Sequence, residues 1–229
     1  MKAKKLVMIG NGMAGIRTIE EILKNHAAPY EITIFGDEPH PNYNRIQLST
    51  VLQGDTTVDD IMMNSWEWYQ ENNIELHVNE EIIEINTAEK QVVSNQGTRT
   101  AYDELIIATG SSSFILPVQG ADKVGVTGFR DIHDCEMMIK SARTYKKAAV
   151  IGGGLLGLEA ARGLLNLGME VKVVHLMGHL MERQLDNMAA NMLREELEAQ
   201  GIEFLMEKQT AEILGNERVT GLRFTDGTE

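Results

Sequence analysis

The chain has 229 residues, of which 43% are hydrophobic, which allows either one large core or two smaller ones. Its formal net charge of -13 and its pI of about 4.9 disfavour nucleic acid and anionic membranes as partners. The single cysteine, Cys135, excludes a disulfide framework and a cysteine-ligated zinc or iron–sulfur site made by this chain alone.

Targeting signals and metal-binding patterns are not apparent in the sequence. The apolar run at residues 6–9 is far too short for a signal-peptide core, and no run approaches the ~18 apolar residues of a membrane-spanning helix. We therefore expect a cytoplasmic protein without a metal site. The histidines that lack metal-ligand spacing are His26, His40, His77, His133 and His179.

The first elements predict a βαβ unit. Residues 6–9 are apolar without alternation, as in a buried parallel strand, and a glycine turn follows them. Apolar residues at helical spacing predict a helix over 14–25, and residues 32–35 predict the next strand.

The middle of the chain predicts shorter elements. Residues 39–54 read as irregular with one short helical stretch, and residues 65–72 as a helix. Strands separated by turn residues are predicted at residues 75–78, 82–85 and 91–94, followed by a buried strand at 105–108.

The first pattern then recurs. A strand at 148–151, a glycine turn and a helix at 158–167 are followed by a strand at 170–175 and a helix at 188–200. Three more strands are predicted, at 202–205, 211–214 and 219–224. Residues 225–229 have hairpin-turn chemistry, and we expect the sequence to stop in mid-motif there.

The first glycine motif has the spacing of a dinucleotide-binding fingerprint. Gly10 permits a tight turn from strand to helix, Gly12 allows a pyrophosphate to approach the backbone, and Gly15 allows close packing of the helix. The acid expected about 20 residues further on is Asp37, with Glu38 beside it, and a carboxylate there can bind both ribose hydroxyls.

The second motif runs from Gly152 through Gly154 to Gly157, again between a strand and a helix. An acid at the end of its second strand would favour NADH and an arginine would favour NADPH, but the residue there is His175. His175 can donate to a hydroxyl or, when protonated, to a phosphate; the alternative is a half-exposed residue without a ligand. We favour NADH because no arginine or lysine lies between residues 176 and 181.

Two such motifs with β-hairpins between them resemble the flavoprotein reductases that bind two dinucleotides, the pyridine nucleotide-disulfide oxidoreductase-like superfamily. Residues 102–111 resemble the family's Ala-Thr-Gly segment, and residues 129–131 resemble the segment with a flavin-contacting arginine. The resemblance implies FAD at the first motif and NAD(P)H at the second. The residues that it implies for cofactor binding, besides the motif glycines and acids, are Met13, Ala14, Arg45, Ile82, Thr109, Gly110, Arg130, Leu155 and Leu156.

The resemblance also implies a catalytic residue. Glu159 matches an acid that faces the flavin near its reactive nitrogen; the alternative is an acid on the helix surface. Arg45 and Arg130 would balance the flavin charge, or are plain surface arginines.

Residues 41–50 indicate the branch of the superfamily. Disulfide reductases carry a redox cysteine pair in this segment, and none is present here. Residues 38–55, 174–177 and 180–186 are similar to the large subunit of assimilatory NAD(P)H-nitrite reductases. Rubredoxin and ferredoxin reductases usually have lysine at position 50, pairing with the acid at 159, so Thr50 and His175 fit the nitrite reductase branch better.

We therefore expect an α/β protein with two Rossmann-like dinucleotide-binding domains of three layers, β/β/α, truncated before the return to the FAD domain. The FAD-binding domain would comprise residues 1–118 and the NAD(P)H-binding domain residues 119–229. The family's Gly-Asp clamp on the flavin is absent from this sequence, so we expect weak or absent flavin. Iron–sulfur and sirohaem modules would belong to downstream parts only, and we expect no reduction of nitrite by this chain alone.

The expected activity is transfer of a hydride from NAD(P)H to FAD, followed by electron transfer to downstream redox modules or an acceptor protein. Two alternatives stay open from the sequence: a stand-alone rubredoxin or ferredoxin reductase, and a non-catalytic nucleotide-binding fragment. A homodimer is compatible with the sequence.

Overall fold

The computed structural model describes residues 3–25 and 30–229. Contacts among these residues divide them into two units. The first takes in the described residues of Met1–Arg45 together with Asp59–Ser111, and the second takes in Ile46–Val58 together with Ser112–Glu229. The domain boundary predicted between residues 118 and 119 stays a prediction.

The described chain contains six α-helices and twelve strands. The helices are α1 (Met13–Asn25), α2 (Leu48–Gln53), α3 (Trp66–Glu71), α4 (Ile132–Ala142), α5 (Leu155–Asn166) and α6 (Asn187–Ala199). The strands are β1 (Lys4–Ile9), β2 (Tyr30–Phe35), β3 (Ile74–His77), β4 (Ile82–Asn86), β5 (Gln91–Ser94), β6 (Arg99–Ala101), β7 (Glu104–Ile107), β8 (Lys147–Ile151), β9 (Glu170–Val174), β10 (Glu203–Leu205), β11 (Thr210–Gly215) and β12 (Val219–Phe224).

The first unit is built on a four-stranded parallel sheet with the order β3-β2-β1-β7. Its central strand β1 is buried from Leu6 to Ile9, which explains the run of apolar residues without alternation. One face of the sheet packs on α1 and α3. The buried residues of that core are Leu6, Met8, Ile16, Ile19, Ile32, Ile34, Tyr69 and Ile74.

The other face of this sheet carries a second, antiparallel sheet with the order β4-β5-β6. Val92 on β5 is fully buried and shares a core with Val7, Ile9 and Phe35 of the parallel sheet. The first unit therefore has three layers, antiparallel sheet, parallel sheet and helices, in agreement with the β/β/α prediction.

The second unit is built on a three-stranded parallel sheet with the order β10-β9-β8 and an antiparallel hairpin, β11-β12. Its core combines Val171 and Val173 of β9 with Leu158, Ala161 and Leu164 of α5. Helix α2 packs on α4 and α5. At Gly163 of α5 an added Cβ would lie 2.5 Å from Leu52 Cγ, so glycine is what lets these two helices approach.

Most predicted elements are present within two residues of their predicted bounds. The clearest difference is α5, which begins at Leu155 and not at residue 158, because the helix follows directly on its N-cap Gly154. Strand β6 was not predicted; it is three residues long and only its middle residue is partly buried. Within residues 3–25 and 30–229, no helix has the length and hydropathy that a membrane crossing requires.

Candidate functional site

The first glycine loop follows β1 at the carboxyl edge of the parallel sheet. Gly10 has φ +104°, and its N–H donates to the Phe35 carbonyl at 2.8 Å. An added Cβ on Gly10 would lie 2.3 Å from the Ala108 carbonyl oxygen, and one on Gly15 would lie 2.9 Å from the Gly10 carbonyl oxygen. Both positions therefore require glycine for the reasons that the motif implies: a tight turn and close packing of the helix.

Gly12 differs from these two glycines because a Cβ there would meet nothing within 4 Å. Its carbonyl accepts the Ile16 N–H at 3.0 Å, so the loop turns directly into α1. The N–H groups at the start of a helix have no acceptor within it and form a site of partial positive charge. Gly12 is thus uncovered at the start of α1, beside Met13 and Ala14, and helix starts of this kind can bind phosphate.

Thr109 and Gly110 lie next to this loop. Strand β7 pairs with β1, and the Ala108 N–H donates to the Ile9 carbonyl at 2.7 Å, so the chain leaves β7 beside Gly10. Gly110 has φ +73°, both residues are exposed, and a Cβ on Gly110 would meet nothing within 4 Å. The structure thus brings the Ala-Thr-Gly segment to the same edge as the first glycine loop.

The two acids after β2 have different environments. Asp37 is exposed. The Glu38 carboxylate accepts from Tyr43 Oη at 2.6 Å and forms an ion pair with Arg45, whose guanidinium lies 4.9 Å from the Tyr43 ring centroid. Asp37 is therefore the acid that presents its carboxylate to solvent at this edge, while Glu38 and Arg45 neutralise each other.

Ile82 is placed by the turn between β3 and β4. The Glu80 N–H donates to the Gly36 carbonyl at 2.9 Å, and the Asn79 N–H donates to the Glu38 carbonyl at 3.0 Å. These bonds bring the start of β4 beside the end of β2, where the acids lie. The predicted cofactor-binding residues Asp37, Glu38 and Ile82 thus lie at the same end of the first unit.

A buried polar network supports the first glycine loop. Tyr69 Oη donates to Asn11 Oδ1 at 2.9 Å and accepts the Asn42 N–H at 3.1 Å. Asn11 Nδ2 also donates to the His40 carbonyl at 3.2 Å. Burial raises the pKa of Tyr69 to about 12, so its hydroxyl keeps the proton that it donates. Asn11, Asn42 and Tyr69 were not predicted as site residues, because their long-range pairing leaves no pattern in the sequence.

The second glycine loop repeats the arrangement of the first. Gly152 has φ +122° and donates its N–H to the Val174 carbonyl at 2.8 Å. An added Cβ on Gly157 would lie 2.1 Å from the Gly152 carbonyl oxygen, whereas one on Gly154 would meet nothing within 4 Å. Leu155 and Leu156 are exposed at the start of α5. Open space thus lies over Gly154 and before a helix N-terminus, as it does at Gly12.

His175 follows β9 and is buried, with 6% of its surface exposed, so the alternative of a half-exposed residue is wrong. Its Nδ1 accepts the Gly153 N–H at 3.0 Å. Its Nε2 lies 3.1 Å from the His179 carbonyl oxygen and 3.2 Å from Glu182 Oε2. The predicted direct contact of His175 with the cofactor stays a prediction, but both ring nitrogens have partners within the protein.

Glu159 and Arg130 belong to the second unit, and their predicted contacts with the flavin stay predictions. Glu159 is half-buried on α5, and burial raises the pKa of its carboxyl group. The Arg130 N–H donates to Asp134 Oδ2 at 2.7 Å, just before the N-cap Asp131 of α4.

Cys135 is fully buried on α4, and burial raises the pKa of its thiol to about 12. Among the described residues, no group of three or more His, Cys, Asp or Glu side chains could hold a metal ion. Of the histidines without metal-ligand spacing, His26 lies outside the described residues.

Two parallel sheets, each with a glycine loop between its first strand and the following helix, define a protein with two dinucleotide-binding folds. The chain belongs to the pyridine nucleotide-disulphide oxidoreductase family, whose model matches residues 4–229. The predicted fold class is therefore confirmed.

Relatives with closely similar sequences come from nitrogen metabolism. The chain is 62% identical over 228 residues to nitrite reductase [NAD(P)H] of Bacillus subtilis (strain 168), covering 100% of this chain and 28% of that protein. It is 53% identical over 228 residues to the assimilatory nitrate reductase electron transfer subunit of the same organism, covering 100% and 30%. The chain thus spans less than a third of the length of these relatives, and the resemblance to nitrite reductases is confirmed.

Solved structures agree on the fold. The ferredoxin reductase for the CYP199A2 system from Rhodopseudomonas palustris matches with a TM-score of 0.91 and 26% identity, over 98% of this chain and 56% of that chain. The lower identity places ferredoxin reductases further from this chain than the nitrite reductase of Bacillus subtilis.

Proposed function

We propose that this chain binds FAD weakly at the first glycine loop and a reduced nicotinamide dinucleotide at the second, and delivers electrons to a nitrite-reducing protein. The observation that carries the proposal is that Gly12 and Gly154 have the same local arrangement. Each faces open space in front of a helix N-terminus, while the neighbouring glycines Gly10, Gly15 and Gly157 are needed for packing.

The bound nicotinamide would supply a hydride, and the bound flavin would accept it and release electrons singly. The chain's own residues bind and orient these groups. The N–H groups after Gly12 and Gly154 would hold the pyrophosphates, and Asp37 would accept hydrogen bonds from the ribose hydroxyls of FAD. Thr109 and Gly110 would line the diphosphate, while Arg130 and Glu159 would face the flavin ring, in the positions that the family resemblance gives them.

The electrons would leave to a partner outside this chain. With one cysteine, which is fully buried, the chain cannot form a redox-active disulfide of its own. The acceptor in the proposal is a downstream iron–sulfur or sirohaem module, because the similarity to nitrite reductase is much higher than that to ferredoxin reductase. We propose a cytoplasmic location for this activity.

A test uses the binding of each cofactor to the 229-residue chain by calorimetry, with dye reduction measured when both cofactors are present. An alanine at residue 12 or 154 fits the fold, because its Cβ meets nothing. It would, however, occupy space that the proposal gives to a phosphate. We expect Gly12→Ala to weaken FAD binding and Gly154→Ala to weaken NADH binding, each by about tenfold or more, the equivalent of about 1.4 kcal/mol.

Gly221→Ala is the matched control, since its Cβ would lie 3.8 Å from Leu214 Cδ1, an ordinary contact in β12. It should leave both affinities unchanged. A chain that binds neither cofactor would overturn the proposal, and so would a Gly154→Ala variant that binds NADH like the wild type. Binding of NADH without any uptake of FAD would favour a non-catalytic nucleotide-binding fragment instead.

A further inference from the structure

The end of β9 is where a dinucleotide fold normally presents the carboxylate that recognises the adenosine ribose. In this chain the residue there is His175, which cannot take that role directly. Because Nδ1 accepts the Gly153 N–H, a ring proton lies on Nε2, which donates to the His179 carbonyl oxygen, and the Glu182 carboxylate lies 3.2 Å from the same nitrogen. His175 therefore has no nitrogen left for a ligand.

The contacts of Gly153 tie the glycine loop to residues 178–182, which we call the β9 turn. The Gly153 carbonyl accepts the Met181 N–H at 3.0 Å, in addition to the bond from its own N–H to His175. An added Cβ on Gly153 would lie 2.7 Å from Leu180 Cδ2 and 2.9 Å from His175 Cγ. The β9 turn is thus seated directly against the loop that would hold the pyrophosphate.

Met181 adds a second sign that this turn is held in a particular conformation. Its φ is +53°, in the left-handed region that residues with a side chain rarely adopt. This conformation occurs where Met181 donates its N–H to Gly153 and directly precedes Glu182. The backbone of Met181, together with the His175 ring, therefore places Glu182.

Glu182 is the carboxylate that this arrangement leaves available. Its side chain is 30% exposed, and the His175 ring is its one ion-pair or hydrogen-bond partner among the described residues. An ionised carboxylate has about four acceptor positions, so it can accept a hydroxyl while it stays beside the His175 ring. A 2′-phosphate in the same place would be repelled by the negative charge.

We propose that Glu182, positioned by His175, accepts the adenosine 2′-hydroxyl of the nicotinamide dinucleotide and makes the site selective for NADH over NADPH. This assignment rests on the proposed function. It moves the specificity acid from the end of the strand to the β9 turn, and it makes His175 a positioning residue between that acid and the glycine loop. The exposed neighbour Arg183 offers the opposite chemistry, because a guanidinium would attract a 2′-phosphate.

The experiment measures binding of NADH and of NADPH to the 229-residue chain by calorimetry, for the wild type, Glu182→Gln and Arg183→Gln. We expect the wild type to bind NADH at least about tenfold more tightly than NADPH, a difference of about 1.4 kcal/mol. Glu182→Gln should bring the two affinities close together, and Arg183→Gln should leave their ratio unchanged.

Three outcomes would overturn the inference: tighter binding of NADPH, an unchanged ratio in Glu182→Gln, or a ratio that responds to Arg183→Gln alone. Binding of neither nucleotide would instead overturn the proposed function, so the two failures are distinguishable. Circular dichroism of each variant shows whether it is folded.

The positioning role of His175 is tested by a double-mutant cycle with His175→Asn and Glu182→Gln. We expect His175→Asn to lower the ratio of NADH to NADPH affinity in the wild type and to have no further effect on it in Glu182→Gln. A His175→Asn variant that loses thermal stability but keeps the wild-type ratio would show that His175 has a structural role only.

Discussion

The burial of the Glu159 carboxyl group has a consequence for the stability of the protein. Its carboxyl group is half-buried on α5, and burial disfavours the charged form. Carboxyl groups with a raised pKa are frequent at functional sites, because the burial that shifts their pKa can serve the reaction even though it lowers the stability of the fold. The raised pKa predicts how stability depends on pH.

The coupling between proton binding and folding gives the direction of this pH dependence. A carboxyl group with a raised pKa in the folded state holds its proton more strongly when folded, so its contribution to stability is present below the unfolded pKa and is lost as pH rises through the folded value. We therefore expect Glu159→Gln to be more stable than the wild type at pH 7, and the difference to disappear near pH 4, close to the unfolded pKa of ~4.3.

Urea unfolding of the two proteins at both pH values gives the free energies to compare. Glu195→Gln on α6 is the control, since Glu195 is an exposed helical glutamate, and it should show little difference at either pH. A Glu159→Gln variant that is less stable than the wild type at pH 7 would contradict the assignment of a burial cost to this carboxylate.

At the scale of single residues, the sequence predicted the glycines, because each must satisfy a local backbone requirement that other residues meet poorly. It did not predict Asn11, Asn42 or Tyr69, whose hydrogen bonds join positions far apart in the chain. Nor did it predict the pairing of Glu182 with His175, because the signal for a ribose acid is a position at the strand end and Glu182 lies in a turn.

At the scale of elements, the two βαβ units were predictable because buried parallel strands and amphipathic helices have distinct periodicities. Helix α5 was predicted three residues short at its start. Its first residues, Leu155 and Leu156, are exposed, so they break the apolar pattern that identifies a helix. Strand β6 was missed because alternation over three residues gives no measurable period.

In the turn from β8 into α5, we expect substitution of two glycines three residues apart to affect stability differently. A Cβ at Gly157 would lie 2.1 Å from the Gly152 carbonyl oxygen, which belongs to the backbone and cannot move aside locally. We expect Gly157→Ala to lower the free energy of unfolding by about 1–3 kcal/mol, the cost of forced overpacking. Gly154→Ala should stay close to wild-type stability, because its Cβ meets nothing.

Thermal unfolding of the two variants, followed by circular dichroism, separates packing from ligand space. Equal losses of stability in both variants would show that the loop as a whole, and not the approach of α5 to β8, sets the requirement for glycine. A Gly157→Ala variant with unchanged stability would mean that the helix can shift away from the loop at little cost.

At the scale of the whole molecule, the net charge of -13 opposes the binding of anionic ligands from a distance. The dinucleotides carry negatively charged pyrophosphates, and their attraction to helix N-termini acts only at short range. Salt screens this long-range repulsion, since the Debye length falls from about 30 Å at 0.01 M salt to about 10 Å at 0.1 M. Added salt should therefore speed the association of the dinucleotides with the protein.

We expect the association rate constant for NADH, measured by stopped-flow fluorescence, to rise as NaCl increases over this range. NADPH carries more negative charge and should show a steeper rise. The same concentration range of a neutral osmolyte serves as the control. A rate that falls with salt would indicate a local basic surface that outweighs the charge of the whole protein.

The burial of Cys135 has a practical consequence for following motion in the second unit. Its Sγ donates to the Leu48 carbonyl oxygen at 3.7 Å, so the thiol lies where α4 meets α2, and it is fully buried. An alkylating reagent can reach it only after these helices separate, and the raised pKa keeps the thiolate scarce until then. Because no other cysteine competes, the rate of Cys135 alkylation reports how often this helix pair opens. A bound nucleotide that stabilises the unit should lower that rate.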